Sequence, residues 1–188
     1  MIRILAISGS LRAGSSNTEV LRALAALAPA GVQFDLYDGL AGLPHFSPDL
    51  EQPELPPPVS ALRRRVADAD VLLISSPEYA HGVPGSLKNA LDWLVSGFEF
   101  VALPVALVNP SPHSLYAQAA LLETIRTMSA ELVTPEAVTI PLTGRRLSSD
   151  AILAEPALAA PLGALMQTLV AAAQASRAGG RRLRGPLG

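Results

Sequence analysis

The sequence predicts an α/β domain built on a parallel β-sheet. Short apolar runs of strand length alternate along the chain with longer segments whose apolar residues recur at helical spacing. Several runs are apolar almost throughout, which is typical of strands covered by helices on both faces of a sheet. A polar loop of Gly, Ser and Arg follows the first run at once and leads into a helical segment. Alternation of this kind favours an α/β fold with a parallel sheet.

Five strands are predicted, at residues 2–7, 32–37, 71–75, 103–109 and 137–141. Five helices are predicted, at residues 18–28, 60–67, 86–95, 115–129 and 151–175. Five strands with a phosphate loop after the first suggest the flavodoxin-like order 2-1-3-4-5. In that order a ligand crevice forms at the carboxyl ends of strands one, three and four.

Two segments fall outside this alternation. Residues 43–59 contain six prolines, which exclude regular structure, and we expect a surface connection there. The alternative, a wall of a ligand or subunit pocket, remains open. Residues 176–188 are rich in Arg and Gly without apolar periodicity, so we expect a disordered tail after a single domain at residues 1–175.

Composition excludes several kinds of site. The 188 residues contain no Cys, which rules out disulfides, thiolate metal sites and cysteine nucleophiles. The three His are scattered, so no metal site is expected, and a net charge of −2 gives no reason to expect nucleic acid. No apolar run is expected to reach the ~20 residues of a membrane helix. No signal-peptide pattern is seen either, so a cytoplasmic protein is expected.

The loop after the first strand, residues 8–17, is predicted to bind phosphate. It ends at the start of a helix, where unpaired backbone N–H groups and the helix dipole attract anions. Arg12 adds a permanent cation that can bind phosphate through two hydrogen bonds. Further donors come from Ser10, Ser15, Ser16 and Asn17. The alternative is a turn whose serines only cap the helix, but capping does not account for Arg12.

This loop differs from two known phosphate-binding patterns. Gly9 and Gly14 have the spacing of a Walker loop, but Ser15 stands where that pattern requires lysine. Leu11 interrupts the glycine spacing of a dinucleotide fingerprint. The loop therefore suits a single phosphate monoester.

The loop after the third strand begins at residue 76 and lies beside the first loop in this topology. Its prolines and glycines fix its path. Such a loop can present backbone groups to a flat polar heterocycle, with Pro77 and Tyr79 as apolar surface. The alternative is an ordinary loop with a buried tyrosine.

Together the two loops resemble the NADPH-dependent FMN reductase family, which includes quinone, chromate and azo-dye reductases. That family typically reads Gly-Ser-Leu-Arg-x-x-Ser-x-Asn after strand one, and residues 9–17 match it in full. It has a longer motif after strand three. The matching residues there are Pro77, Glu78, Tyr79, Gly82, Pro84, Gly85, Leu87, Lys88, Asn89, Ala90, Asp92 and Trp93.

The resemblance implies bound FMN and a homodimer or homotetramer. NADPH or NADH would donate a hydride, and a quinone or another small acceptor would be reduced, with no catalytic side chain assigned. The FMN phosphate would be held by Ser10, Arg12, Ser15, Ser16 and Asn17. The flavin ring would lie against Pro77, Glu78, Tyr79, Ala80, His81 and Gly82, with Ser111 as a further contact. Leu94, Phe98 and Phe100 are close in sequence and more than the core is expected to hold, so they are candidates for the subunit contact.

The chain departs from the family at two places. Ala80 replaces the usual Asn, and the usual Gly-rich loop after strand four is replaced by one containing Pro110 and Pro112, which lack N–H donors. Flavin affinity and the approach of nicotinamide are the properties expected to differ. A flavodoxin-like electron carrier and a non-catalytic binding module remain as alternatives. The 16 acidic and 14 basic residues give no acidic excess of the kind that carriers usually expose.

Overall fold

A single parallel sheet in the order β2-β1-β3-β4-β5 forms the centre of the computed structural model, which describes residues 1–51, 53–142 and 144–179. The first four strands are β1 (Ile2–Ser8), β2 (Val32–Tyr37), β3 (Val71–Ser75) and β4 (Pro104–Asn109). Two short strands follow, β5 (Glu131–Leu132) and β6 (Val138–Thr139). The predicted flavodoxin-like fold and strand order are confirmed.

At the edge of the sheet beside β4, the structure has two short strands where one strand was predicted at residues 137–141. Strand β5 pairs with the start of β4 (Pro104 with Glu131), and β6 pairs with its end (Asn109 with Thr139). Pro135 lies between β5 and β6. A proline has no N–H to donate to the sheet, so the edge is paired only at its two ends.

The helices described are α1 (Ser16–Ala26), α2 (Pro57–Asp68), α3 (Gly85–Val95), α4 (Leu115–Thr127), α5 (Ser149–Ala154) and α6 (Pro156–Ala178). The prediction of one helix at 151–175 is wrong. Glu155 is extended (φ −99°, ψ 109°), because the residue before a proline disfavours helical geometry, and Pro156 then begins α6.

The carboxyl end of α6 extends beyond the predicted domain boundary at residue 175. Arg177 Nε lies 2.7 Å from Asp70 Oδ1, and its guanidinium also donates to Met1 O. Disorder predicted for residues 176–178 is therefore wrong. The rest of the predicted tail, from residue 180, lies outside the described residues.

Helix α6 contradicts the expectation that no apolar segment of the chain reaches the length of a membrane helix. Within the described chain it is the one helix long and apolar enough, by length and composition alone, to cross a bilayer. One side of α6 is buried in the core, through residues such as Leu158, Leu162 and Leu169. A core helix packed on a sheet passes the same test of length and composition.

The core lies on both faces of the sheet because successive strand residues point to opposite sides. On one face, Ile4 and Leu73 pack against α1, α5 and α6. On the other, Leu5 and Leu72 pack against α2, α3 and α4. The three layers leave the carboxyl ends of β1, β3 and β4 free to carry loops.

The proline-rich segment at 43–59 packs against α3. Pro44 O accepts hydrogen bonds from Asn89 Nδ2 (3.0 Å) and Trp93 Nε1 (2.8 Å), and Asn89 Oδ1 accepts one from Phe46 N (2.8 Å). The rings of Phe46 and Trp93 meet edge to face, with centroids 5.1 Å apart. Asn89 and Trp93 thus serve helix packing, and none of the segment's described residues line the cavity formed by the loops after β1, β3 and β4.

Candidate functional site

The loops after β1, β3 and β4 surround a cavity of about 490 Å³ at the carboxyl edge of the sheet. This volume lies within the range of small-molecule sites. Most of the predicted cofactor contacts line it: Ser10, Arg12, Ser15, Ser16, Asn17, Pro77, Glu78, Tyr79 and Ser111. The other three, Ala80, His81 and Gly82, are not among the lining residues.

The first loop is held close to the sheet. Gly9 N donates to Ser75 O of β3 (2.8 Å), and a side chain at Gly9 would meet Leu87 Cδ2 at 2.9 Å. Ser75 Oγ donates to Asn17 Oδ1 (2.9 Å), which joins the start of α1 to the same strand. A side chain at position 9 would therefore force Leu87 of α3 to shift, whereas glycine lets the loop lie directly on this helix.

Ser15 caps α1 and is almost completely buried. Its Oγ accepts a hydrogen bond from Asn17 N (3.3 Å), and its carbonyl accepts one from Glu19 N (2.9 Å). The capping interpretation is thus correct for Ser15. Capping does not use Arg12, which is exposed and whose guanidinium forms no hydrogen bond or ion pair with any other described residue. The loop combines a helix N-terminus with a free cation at one end of the cavity.

The second loop turns back on itself at residues 79–82. Tyr79 and Gly82 exchange two backbone hydrogen bonds (3.1 and 2.9 Å). Ala80 and His81, between them, have φ values of 48° and 59°. Two central residues with positive φ form a type I′ turn. The turn keeps Tyr79 at the cavity, with 56% of its surface exposed.

The tip of this turn contacts helix α4. The His81 and Tyr116 rings stack with centroids 4.3 Å apart and planes inclined by 20°. Glu78 Oε2 accepts a hydrogen bond from Ala117 N (2.8 Å) in the first turn of α4. Gln118 Nε2 donates to Ser76 O (3.2 Å). The loops after β3 and β4 are therefore joined, and Glu78 and His81 have structural partners.

The loop between β6 and α5 also contributes to the cavity, which was not predicted from the sequence. This loop supplies Arg145 and Arg146 to the cavity wall. Other lining residues not predicted are Ser76, Asn109, Pro110, Ser114, Leu142 and Gly144. Two adjacent arginines in the segment that follows the last strand were the available signal.

The two arginines differ in their surroundings. Arg145 Nη1 donates to Glu155 Oε2 (2.9 Å), and this hydrogen bonding lowers the pKa of Glu155 below its ordinary value. Arg146 is exposed and forms no hydrogen bond or ion pair within the described part of the chain. Arg146 is therefore the second uncommitted cation of the site, beside Arg12.

Residues 2–143 match the model of the family described as NADPH-dependent FMN reductase. The chain belongs to that family. A 2-hydroxy-1,4-benzoquinone reductase of a Burkholderia species is 46% identical over 92 residues, which is 49% of each chain. An NAD(P)H-dependent FMN reductase of Pseudomonas aeruginosa is 38% identical over 112 residues, 58% of this chain and 60% of that one. A quinone reductase of Escherichia coli K12 is 40% identical over half of each chain.

The chain thus spans about half the length of the curated relatives it matches. Among solved structures, the NAD(P)H:(acceptor) oxidoreductase FerB of Paracoccus denitrificans superposes with a TM-score of 0.75 at 24% identity. That superposition covers 93% of this chain and 98% of the other, and it supports the fold. The family resemblance seen in the two loops is confirmed.

We predict that Ala80→Asn stabilises the protein. Ala80 is exposed and has φ 48°, a conformation that Asn adopts more readily than Ala. The free energy of unfolding should rise by about 0.5–1 kcal/mol, because Asn relieves only part of the roughly 1–3 kcal/mol that a left-handed residue costs. Urea denaturation of Ala80→Asn and of the β-branched control Ala80→Val measures this. Equal stability of all three proteins would show that the turn is not held in this geometry in solution.

Proposed function

We propose that this chain is an FMN-dependent NAD(P)H oxidoreductase that reduces quinones or other small acceptors. The observation that carries the proposal is the uncommitted Arg12 beside the N-terminus of α1, at one end of the 490 Å³ cavity. The relatives named for FMN and quinone reduction support the same activity. A cytoplasmic location and the absence of nucleic-acid and membrane partners remain predictions.

The donors of the site fit the phosphate of FMN. The first turn of α1 offers backbone N–H groups, Ser10 and Ser16 offer hydroxyls, and Arg12 offers a guanidinium free to form two hydrogen bonds. Pro77 and Tyr79, on the neighbouring loop, offer apolar surface to a flat ring. FMN, when bound, supplies the hydride and electron chemistry.

The residues of the site position ligands and are not assigned proton-transfer roles. The Glu78 carboxylate is bonded to the start of α4, and His81 is stacked on Tyr116 and does not line the cavity. Both side chains therefore have structural contacts that account for their positions. We therefore assign no catalytic side chain, and acceptors should be selected mainly by access to the site and by reduction potential.

Arg12→Ala should weaken FMN binding. A hydrogen bond to a charged group contributes about 1.5–3 kcal/mol, so the dissociation constant should rise about 10- to 150-fold. Riboflavin lacks the phosphate and is the matched control, since its weaker binding should not change. Fluorescence quenching titrations measure both ligands. An unchanged FMN dissociation constant would remove Arg12 from the phosphate site.

Anaerobic stopped-flow tests the activity itself. NADPH should bleach the oxidised flavin band of the FMN-loaded protein, and a quinone added afterwards should restore it. We expect this because the flavin itself supplies the hydride chemistry. A nicotinamide that reaches the ring can therefore react without a side-chain acid or base. Bleaching by dithionite but by neither nicotinamide would instead support an electron carrier. A protein that binds no flavin would support a non-catalytic module.

We propose a homo-oligomer that uses the end of α3. Leu94 and Phe100 are fully buried within the protomer, whereas Phe98 is 80% exposed and Val95 is also exposed. An exposed Phe beside an exposed Val favours contact with a second copy. Light scattering at micromolar concentration should give at least a dimer. Phe98→Ser should shift it toward monomer, while Phe98→Leu should not. A monomeric wild-type protein would contradict this proposal.

A further inference from the structure

Three arginines line the cavity between the loops after β1, β3 and β4, and they differ in whether their charge is already used. Arg12 belongs to the loop after β1, and the proposed function assigns it to the FMN phosphate. Arg145 is paired with Glu155 through both of its terminal nitrogens. Arg146 has no hydrogen-bond or ion-pair partner in the part of the chain that the structure describes. Its charge is therefore accounted for neither by the first loop nor by an internal ion pair.

Arg146 lies at the end of the cavity where the phosphate is expected. A neighbouring hollow of about 480 Å³ adjoins the first loop, and its wall is formed by residues 12–14, Glu19 and residues 146–148. Arg12 and Arg146 line both the hollow and the cavity, so these two arginines lie where the two spaces meet. The loop after β3, which is assigned to the flavin ring, lines the cavity but not the hollow. Arg146 is therefore placed beside the phosphate loop and away from the surface for the ring.

Main-chain hydrogen bonds on both sides of Arg146 fix its position. Before it, Leu142 N donates to Pro110 O (3.0 Å) and connects this part of the chain to the loop after β4. After it, Ser149 N donates to Glu19 Oε2 (2.9 Å) and connects the start of α5 to the first turn of α1. Because these contacts use the main chain, they position Arg146 without occupying its guanidinium.

The acidic residues of the two described walls are bonded to other groups. Glu19 is the acidic residue of the hollow, and its oxygens accept hydrogen bonds from Arg22 Nη1 and from Ser149 N. Glu78 is the acidic residue of the cavity, and its Oε2 accepts one from Ala117 N (2.8 Å). An anionic ligand is therefore the partner left for Arg146.

The charge of a phosphate monoester suits two guanidinium groups better than one. Such a group carries about −1.5 to −2 charges at pH 7 and three strong acceptor oxygens. A guanidinium binds phosphate oxygens through two parallel hydrogen bonds and supplies one positive charge. Arg12 alone leaves part of the phosphate charge unpaired, and Arg146 lies where it can pair with the rest.

We propose that Arg146 is a second contact of the FMN phosphate, which then binds between guanidinium groups from two distant parts of the chain. The inference rests on the proposed function, which places the phosphate at the first loop. Residue 146 lies beyond residues 2–143, which match the family model, so this contact is an addition to the motif after β1. Arg146 would determine part of the preference for FMN over riboflavin, because riboflavin has no phosphate.

Fluorescence quenching titrations of the full-length protein, freed of flavin, test this assignment without turnover. Arg146→Gln should raise the FMN dissociation constant about tenfold, the lower end of the effect of losing a hydrogen bond to a charged group, and should leave riboflavin binding unchanged. Arg146→Lys should have a smaller effect, because lysine keeps the charge but not the paired hydrogen bonds. The matched control is Arg64→Gln, which removes an exposed arginine of α2 and should bind both ligands like the wild type.

The double variant Arg12→Ala/Arg146→Gln tests whether both arginines hold the phosphate. It should bind FMN more weakly than either single variant and bind riboflavin like the wild type. An unchanged FMN dissociation constant in Arg146→Gln would overturn the assignment and leave the proposed function intact. The same holds if Arg146→Gln weakens FMN and riboflavin binding by the same factor, since Arg146 would then serve the ring or the fold of the site. A wild-type protein that binds no FMN would overturn the proposed function together with this assignment.

Discussion

The hydrogen bonds made by Ser75 hold the site together. Its carbonyl accepts from Gly9 N and its hydroxyl donates to Asn17, so one fully buried residue of β3 fixes both ends of the first loop. Leu87 of α3 occupies the space that a side chain at Gly9 would need. The sheet therefore fixes the position and direction of the start of α1. The position of any anion bound there follows from the register of β1 and β3.

The polar residues of the second loop stabilise the structure of the site. Glu78 is bonded to the start of α4, and His81 is stacked on Tyr116, so both connect two loops. The neighbouring Ala80 keeps a left-handed conformation for which Asn is better suited. The turn forms although Ala80 replaces the family's Asn, so backbone hydrogen bonds and not that side chain hold the turn.

Local signals predicted much of this molecule. Strands β1 to β4 and the cap at Ser15 were readable because alternation, helical spacing and capping involve neighbouring residues. The divided edge of the sheet was missed because its pairing depends on both ends of β4. The break before Pro156 carried a local signal that apolar periodicity concealed. Arg146 was missed since its place beside Arg12 is set by the packing of α5 on α1, a contact between distant parts of the chain.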